Sequence, residues 1–116
     1  FKEFGQVALS TTKAGEIKAF HWHKEQDDIF YVLHGKAKIV LHDLRGSSPT
    51  FKHTGELIMS EDEPRLVLIP RGVAHGYQGL GDKRLTMLYF MNKPYNPDAP
   101  DEQRIPYNES SIGYKW

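Results

Sequence analysis

The sequence predicts an all-β domain, and three observations support this fold class. Stretches in which apolar and polar residues alternate, or in which β-branched and aromatic residues cluster, recur along the chain. Glycine, proline and serine interrupt these stretches at short intervals. Nothing before residue 92 has the apolar stripe and the capping residues of a helix. Many short strands separated by turns indicate a sandwich or barrel, and 116 residues fit a single domain.

The first predicted strand is 16–22, in which Ile17, Ala19 and His21 fall on one face because side chains alternate along a strand. The remaining strand candidates follow in chain order: DIFYVLHG, KAKIVLHDLRG, GELIMS, RLVLIP and RLTMLYFM. Gly35 and Lys36 separate the first two of these runs and predict a tight hairpin. The segment RGSSPT is a loop by composition. Residues 92–116 carry four prolines and are expected to form a mostly extended tail packed on the barrel.

Strict alternation also predicts that Lys18, Phe20 and Trp22 point away from the face that holds His21. Exposed aromatic side chains at these positions would suit an interface or a second sheet.

The charge balance excludes several classes of partner. Lysine plus arginine equals aspartate plus glutamate at 15 each, so no broad basic face is expected for nucleic acid or an anionic membrane. No apolar run approaches the roughly 18 residues of a membrane helix, and no signal peptide is recognised. The chain has no cysteine, which excludes disulfides and cysteine nucleophiles. A cytoplasmic location is the default expectation.

Four residues have the side chains and spacing of a metal site. His21 and His23 lie two apart on a predicted strand and therefore face the same side. Asp28 can face the same space from the next strand, and His75 follows in Pro-Arg-Gly-X-X-His. Three imidazoles and a carboxylate suit one divalent zinc, iron, nickel or manganese ion. The alternative is that His-X-His is a pair of half-buried histidines with no ligand.

The spacing of these residues between Gly15 and Gly35, and again around His75, resembles the two motifs of the cupins. The resemblance implies a cupin jelly roll, also called a double-stranded β-helix, spanning 1–116 as a single domain. Asp28 stands where cupins usually have glutamate, and Gly79 stands where the second motif usually ends in asparagine.

A second resemblance extends from about Phe4 to Trp116. The segments DLRGSSPTF, LIPRGVAHGY, LYFMNKPYNP and YNESSIGYKW are similar to motifs of the dTDP-4-dehydrorhamnose 3,5-epimerase family, whose members are themselves cupins. The resemblance implies an isomerase of polysaccharide biosynthesis that acts on a small-molecule sugar nucleotide and needs no cofactor. It also implies a homodimer with sheets packed across a two-fold axis.

This family inverts carbons beside a ketone, which requires a base, an acid on the opposite face and stabilisation of the enolate. The resemblance places the base on His21, the acid on Tyr89 and a second catalytic histidine on His75. The substrate-binding positions that it implies are Gln6, Lys18 and Tyr95, of which Lys18 replaces an arginine that contacts phosphate.

The sequence also departs from the family at positions other than Lys18. The lysine that stabilises the enolate falls on Asp28, and a glutamine falls on His23. Both changes restore the metal-binding pattern of other cupins, so a metal could replace the lysine. The aspartate with which the family pairs its histidine belongs to a segment beyond Trp116.

Three functions follow from these observations. The first is epimerisation of a 4-keto-deoxyhexose nucleotide by proton abstraction. The second is a metal-dependent reaction on another small sugar or sugar phosphate, and it conflicts with the first because a metal-bound His21 is not a free base. The third is sugar binding without catalysis.

Overall fold

The computed structural model describes residues 1–116 as an arrangement of strands without an α-helix. No helix is therefore long and apolar enough to cross a membrane. The nine strands are β1 (Gln6–Thr12), β2 (Ile17–Trp22), β3 (Asp28–His34), β4 (Lys36–Asp43), β5 (Thr54–Ser60), β6 (Val67–Ile69), β7 (Val73–Leu80), β8 (Leu85–Met91) and β9 (Gln103–Arg104).

The strands form two antiparallel sheets, in the orders β1-β8-β3-β6 and β5-β4-β7-β2-β9. Inward-facing side chains of both sheets meet in one core, which includes Phe30, Met87, Ile39 and Met59. This packing closes a jelly-roll barrel, and the predicted all-β fold class is confirmed. Ten buried apolar and aromatic residues form this core, and two of them, Phe30 and Tyr77, also line a cavity that has polar side chains.

The six predicted strands are present, but the predicted hairpin at Gly35 is wrong. Strands β3 and β4 are not paired with each other, because β3 belongs to the four-stranded sheet and β4 to the five-stranded one. Gly35 instead turns the chain from one sheet to the other with a φ of 87°. A Cβ there would lie 2.9 Å from the carbonyl oxygen of Arg84, so the turn requires glycine.

Strand β7 has no counterpart among the strands predicted from sequence. Its first five residues are all buried, because β7 lies between β4 and β2 and is covered on both faces. A strand buried on both faces does not show the alternation of polar and apolar residues that identifies a half-exposed strand.

The face assignment predicted for β2 is wrong at Lys18. The pairing of β2 with β7 aligns Lys18 with Tyr77 and His21 with His75, so β2 carries one extra residue between the two pairs. Such a β-bulge reverses the alternation, and both Lys18 and His21 face the barrel interior. Gly76 accommodates the bulge, since a Cβ on this residue would lie 2.3 Å from the Cβ of Ala19.

The C-terminal tail covers the outer face of the five-stranded sheet. Phe20 is buried there, and its ring lies 5.6 Å from that of Trp116. Trp22 packs in the same cluster, together with Ile105 and Ile112. Phe20 and Trp22 therefore contact the chain's own tail, and the expectation that they form an exposed interface is wrong.

The outer face of the four-stranded sheet, by contrast, is apolar and uncovered. Register places Val7, Phe90, Ile29 and Leu68 in one row across the four strands, and Leu9, Leu88 and Tyr31 in the next row. Leu9 and Leu68 are 60% and 50% exposed.

Candidate active site

A cavity of about 240 Å³ opens between the two sheets and is lined by residues of both. The side chains that line it include six positions singled out from the sequence: Lys18, His21, His23, Asp28, His75 and Tyr89. The first three lie on or just after β2, and His75 lies on the neighbouring strand β7. Asp28 and Tyr89 reach the cavity from β3 and β8 of the opposite sheet.

His21 contacts a carboxylate of the C-terminal tail. Its Nδ1 atom lies 3.2 Å from Oε1 of Glu102, which is an ion-pair distance, although the angle is not that of a hydrogen bond. Burial lowers the pKa of His21, and the nearby His75 lowers it further, while Glu102 acts in the opposite direction. The net shift favours a neutral imidazole at pH 7, which is the form that accepts a proton.

His23 and His75 converge on one oxygen of Asp28. The Nε2 atoms of the two histidines lie 3.2 and 3.4 Å from Oδ2, and the three ligand atoms fall within 4.8 Å of one another. Gln26 donates to the other carboxylate oxygen at 2.7 Å. His21 does not belong to this cluster, so the structure brings together three of the four metal ligands considered from sequence.

The carboxyl of Asp28 and the imidazole of His23 shift each other's pKa. Burial opposes ionisation of Asp28, but contacts with His23 and His75 hold the pKa of its carboxyl well below the usual range. Burial alone would lower the pKa of His23, yet Asp28 and the carbonyl of Asp101 raise it overall. Asp28 is therefore a carboxylate at neutral pH and attracts positive charge to this point.

The backbone fixes the tautomers of both histidines. His23 donates its Nδ1–H to the carbonyl of Asp101, and His75 donates its Nδ1–H to the carbonyl of Val73 at 3.0 Å. A carbonyl can only accept, so Nδ1 carries the proton in each ring. The Nε2 atoms are left to face Asp28.

Tyr89 lies across the cavity in contact with a second tyrosine. Its hydroxyl group is hydrogen-bonded to that of Tyr77, which is also 3.5 Å from Oγ of Ser10. Burial raises the pKa of Tyr89 far above its ordinary value, and the proximity of Tyr77 adds to the shift. Tyr89 therefore keeps its proton at neutral pH and faces the cavity as a proton donor.

A neutral imidazole on one sheet and a protonated phenol on the facing sheet can exchange protons with opposite faces of the same carbon atom. A profile of the dTDP-4-dehydrorhamnose 3,5-epimerase family matches residues 1–116. The chain belongs to this family. Its members are isomerases, and the resemblance inferred from the sequence motifs is confirmed.

Known members of the family and their structures agree with this assignment. The spore coat polysaccharide biosynthesis protein SpsL of Bacillus subtilis is 50% identical over 115 residues, which are 99% of this chain and 76% of that protein. The structure of a dTDP sugar isomerase from Desulfovibrio desulfuricans has a TM-score of 0.93 at 26% identity and covers 100% of this chain and 73% of its own.

A third relative is the RmlC epimerase of Legionella pneumophila in complex with dTDP-4-keto-L-rhamnose. Its structure has a TM-score of 0.85 at 28% identity and covers 98% of this chain. This chain covers 60% of the Legionella one, so that epimerase has further residues outside the shared domain.

Two residues that the family resemblance assigns to the substrate lie outside the cavity. Tyr95 is 61% exposed, and its backbone N–H donates to Oε1 of Gln6 at 2.8 Å. Tyr95 lines an adjoining cavity of about 450 Å³, which shares His23 and Glu102 with the first. Gln6 and Tyr95 are thus neighbours at the mouth of the site, and their roles remain predictions.

Sequence reasoning missed four polar residues of the site, namely Ser10, Gln26, Tyr77 and Glu102. Tyr77 follows His75 by two positions on one strand, so the shared face was a signal that could have identified it. Glu102 had no such signal, because its position depends on the tail pairing with β2. The family resemblance places the carboxylate partner of the histidine beyond Trp116, whereas the structure places Glu102 against His21.

Proposed function

We propose that this chain epimerises a dTDP-4-keto-6-deoxyhexose by removing and returning a proton beside the keto group. The observation that carries the proposal is the placement of His21 and Tyr89 on opposite sheets around one cavity. Inversion needs a base on one face of the sugar carbon and an acid on the other. Family membership and the ligand of the Legionella epimerase support the substrate class.

The protonation states suit the two steps. His21 is neutral, its Nδ1 lies 3.2 Å from Oε1 of Glu102, and it uses its Nε2 lone pair to take the proton from carbon. The electron pair of the broken C–H bond moves into an enolate, whose charge resides on the former keto oxygen. Tyr89 then gives its proton to the same carbon from the opposite face. Solvent removes the proton from His21 and restores that of Tyr89, so no net redox change occurs.

The size of the cavity supports a binding mode in which the sugar and the nucleotide of the substrate lie in two adjoining cavities. A volume of about 240 Å³ accommodates a deoxyhexose ring but not a whole sugar nucleotide. We place the nucleotide in the adjoining cavity of about 450 Å³, beside Tyr95. Lys18, at the edge of the first cavity, donates to the carbonyl of Thr11 at 2.9 Å and supplies a cation for a phosphate.

The experiment that tests this function is proton exchange in deuterated water. Deuterium should enter C3 or C5 of a dTDP-4-keto-6-deoxyhexose in the presence of the protein, detected by mass spectrometry and by loss of the proton NMR signal. Binding of the sugar nucleotide without exchange would instead indicate a sugar-binding domain without catalysis. A cytoplasmic location is proposed as the compartment of the reaction.

We propose as a second function that His23, Asp28 and His75 bind one divalent transition metal. A four-coordinate ion with bonds near 2.1 Å separates its ligand atoms by roughly 3.4 Å, close to the 3.2 and 3.4 Å between Asp28 and the two Nε2 atoms. The Nδ1–H groups donate to backbone carbonyls, as is usual for histidines that bind metal.

The tautomers provide a further argument for a cation. With its proton on Nδ1 given to a backbone carbonyl, His75 places its other ring nitrogen, Nε2, 3.4 Å from a carboxylate oxygen of Asp28. Two electron-rich atoms repel each other unless a proton or a metal lies between them. A bound metal would polarise the keto oxygen and so replace the family's lysine. Because His21 is outside the cluster, metal binding and the use of His21 as a base are compatible.

The metal content of the purified protein decides whether a metal ion or a proton lies between Asp28 and the two histidines. Protein purified without a histidine tag or added metal is expected to contain about one equivalent of zinc, iron, nickel or manganese by plasma mass spectrometry. His23→Ala and Asp28→Ala should each lower this content at least ~10-fold, because each removes a ligand. His53→Ala, at an exposed position, is the control. Stoichiometry below a tenth of an equivalent in the wild type would leave a protonated ion pair as the explanation of the cluster.

We propose a homodimer that packs through the outer face of the four-stranded sheet. The corresponding face of the other sheet is covered by the tail, whereas two rows of apolar side chains remain exposed here. A contiguous exposed apolar patch, unlike single exposed apolar residues, marks a surface of protein–protein contact. A second copy presents the same patch and can cover it about a two-fold axis.

Leu9→Lys is expected to convert the dimer to a monomer at micromolar concentration, because it would bury two unpaired ammonium groups in the interface. Sedimentation equilibrium measures the mass, and circular dichroism checks that the fold is retained. The control is Ile58→Lys, which replaces an exposed aliphatic side chain on β5 of the other sheet. This variant should leave the mass unchanged. A monomeric wild type would contradict the proposal.

A further inference from the structure

Four polar side chains form a line from the surface to the acid of the proposed reaction. The ammonium group of Lys18 donates to the carbonyl of Thr11 at 2.9 Å and to Oγ of Ser10 at 3.4 Å. Oγ of Ser10 lies 3.5 Å from the hydroxyl oxygen of Tyr77. The hydroxyl group of Tyr77 is in turn hydrogen-bonded to that of Tyr89. Thr11 is exposed and Tyr77 is buried, so the line runs from solvent into the core.

The fold brings these four side chains together from four different strands. Lys18 and Tyr77 lie opposite each other on β2 and β7 of the five-stranded sheet. Ser10 and Tyr89 lie on the paired strands β1 and β8 of the four-stranded sheet. The β-bulge in β2 turns Lys18 inward, so its side chain can reach Ser10 across the space between the sheets. Successive members of the line therefore alternate between the two sheets.

Tyr89 must recover a proton after each transfer to carbon. A deoxyhexose in a cavity of about 240 Å³ leaves little room for water beside it. The ring of Tyr89 packs 4.9 Å from that of Phe30, which has no proton to give. Burial raises the pKa of Tyr89 far above its ordinary value, so its phenolate would be a strong base. Tyr77, already hydrogen-bonded to Tyr89, can supply the proton without release of the sugar.

We infer that the hydroxyl groups of Ser10 and Tyr77 form a proton relay for Tyr89, a role that rests on the proposed function. When Tyr89 has given its proton to carbon, its phenolate oxygen takes the proton of the Tyr77 hydroxyl. The oxygen of Tyr77 takes the proton of Ser10, and Ser10 takes one from the ammonium group of Lys18. Water then returns a proton to the Lys18 amine. One proton has moved from solvent to Tyr89, and each relay group ends as it began.

Hydrogen-bond chemistry favours this direction of transfer. An ammonium group can only donate, so Oγ of Ser10 accepts from Lys18 and its own O–H is available to Tyr77. Tyr77 can then donate to the oxygen of Tyr89, which leaves the Tyr89 proton free to face the sugar. The contacts of 3.4 and 3.5 Å on either side of Ser10 are long, and catalytic contacts of this kind tighten when a substrate binds.

The ratio of inversion to deuterium exchange tests the relay. Tyr77→Phe should lower kcat for inversion about 10-fold but leave KM and exchange through His21 within about 2-fold of the wild type, because the base is untouched. Ser10→Ala should lower inversion about 3-fold without changing exchange. Ser10→Thr keeps a hydroxyl group and should restore most of this loss. Tyr107→Phe, at an exposed position outside both cavities, is the control and should leave both rates unchanged.

Three results would overturn the relay in a protein that inverts the sugar. The first is an equal loss of exchange and inversion in Tyr77→Phe, which indicates a merely structural role. The second is unchanged inversion in Tyr77→Phe. The third is unchanged inversion in Ser10→Ala, since the relay needs a hydroxyl group between Lys18 and Tyr77. A wild type that catalyses neither exchange nor inversion would instead overturn the proposed function, and the relay with it.

Discussion

His21→Asn is expected to lower deuterium exchange into the keto sugar by about 100-fold or more, because asparagine cannot accept the proton. Asparagine fits the space of the imidazole and is polar, so the variant should fold. The proposed mechanism gives His21 the first chemical step, and exchange and inversion should fall together. The other two histidines of the cavity, His23 and His75, each have one ring nitrogen on a backbone carbonyl and the other against Asp28.

Exchange is followed by the loss of the proton signal at C3 and C5, and inversion by the appearance of the epimer. His53→Asn, on the surface and outside both cavities, serves as the matched control and should retain wild-type rates. If His21→Asn retained more than a tenth of the wild-type exchange rate, the base would have to be another residue. His75, which lies opposite His21 in the strand register, would then be tested next.

Tyr89→Phe should separate the two half-reactions. Removing the hydroxyl deletes the acid on the face opposite His21, so inversion is expected to fall about 100-fold. His21 can still take a proton and return a deuteron on its own face. Exchange without inversion should therefore persist at a higher rate than inversion. The variant keeps the ring that packs 4.9 Å from the ring of Phe30, which preserves the local packing.

The control for this variant is Tyr77→Phe, which removes the hydroxyl that contacts Tyr89. Tyr77 is 5% exposed and belongs to the core, so its hydroxyl is less accessible to a substrate. We expect a smaller loss of inversion than for Tyr89→Phe. An equal or larger loss in Tyr77→Phe would transfer the acid role to Tyr77, and unchanged inversion in Tyr89→Phe would exclude Tyr89 as the acid.

The cluster on Asp28 changes how these two experiments are interpreted. Asp28 stands where the resemblance places a lysine that stabilises the enolate, and an isolated carboxylate would repel that charge. His23 and His75 lie against its Oδ2 atom, so a proton or a metal there offsets the negative charge. Metal analysis should therefore accompany the His21 and Tyr89 variants, so that a lost rate is not confused with a lost metal.

The sequence alone determined the fold class and most of the candidate site. Alternating and β-branched runs identified six strands, because a half-buried strand needs one apolar face. The spacing of His21 and His23 and the family motifs identified His75 and Tyr89 as their companions in the cavity. These features are local, or are carried by motifs that keep their spacing, and so they can be recognised without coordinates.

Only the tertiary structure decided how these residues meet. Strand β7 lacks alternation because both of its faces are buried, and the bulge in β2 turns Lys18 inward because Gly76 leaves room for it. The contact of Glu102 with His21 joins residues 81 positions apart through the pairing of β9 with β2. Such contacts depend on packing between distant segments, which no local pattern encodes.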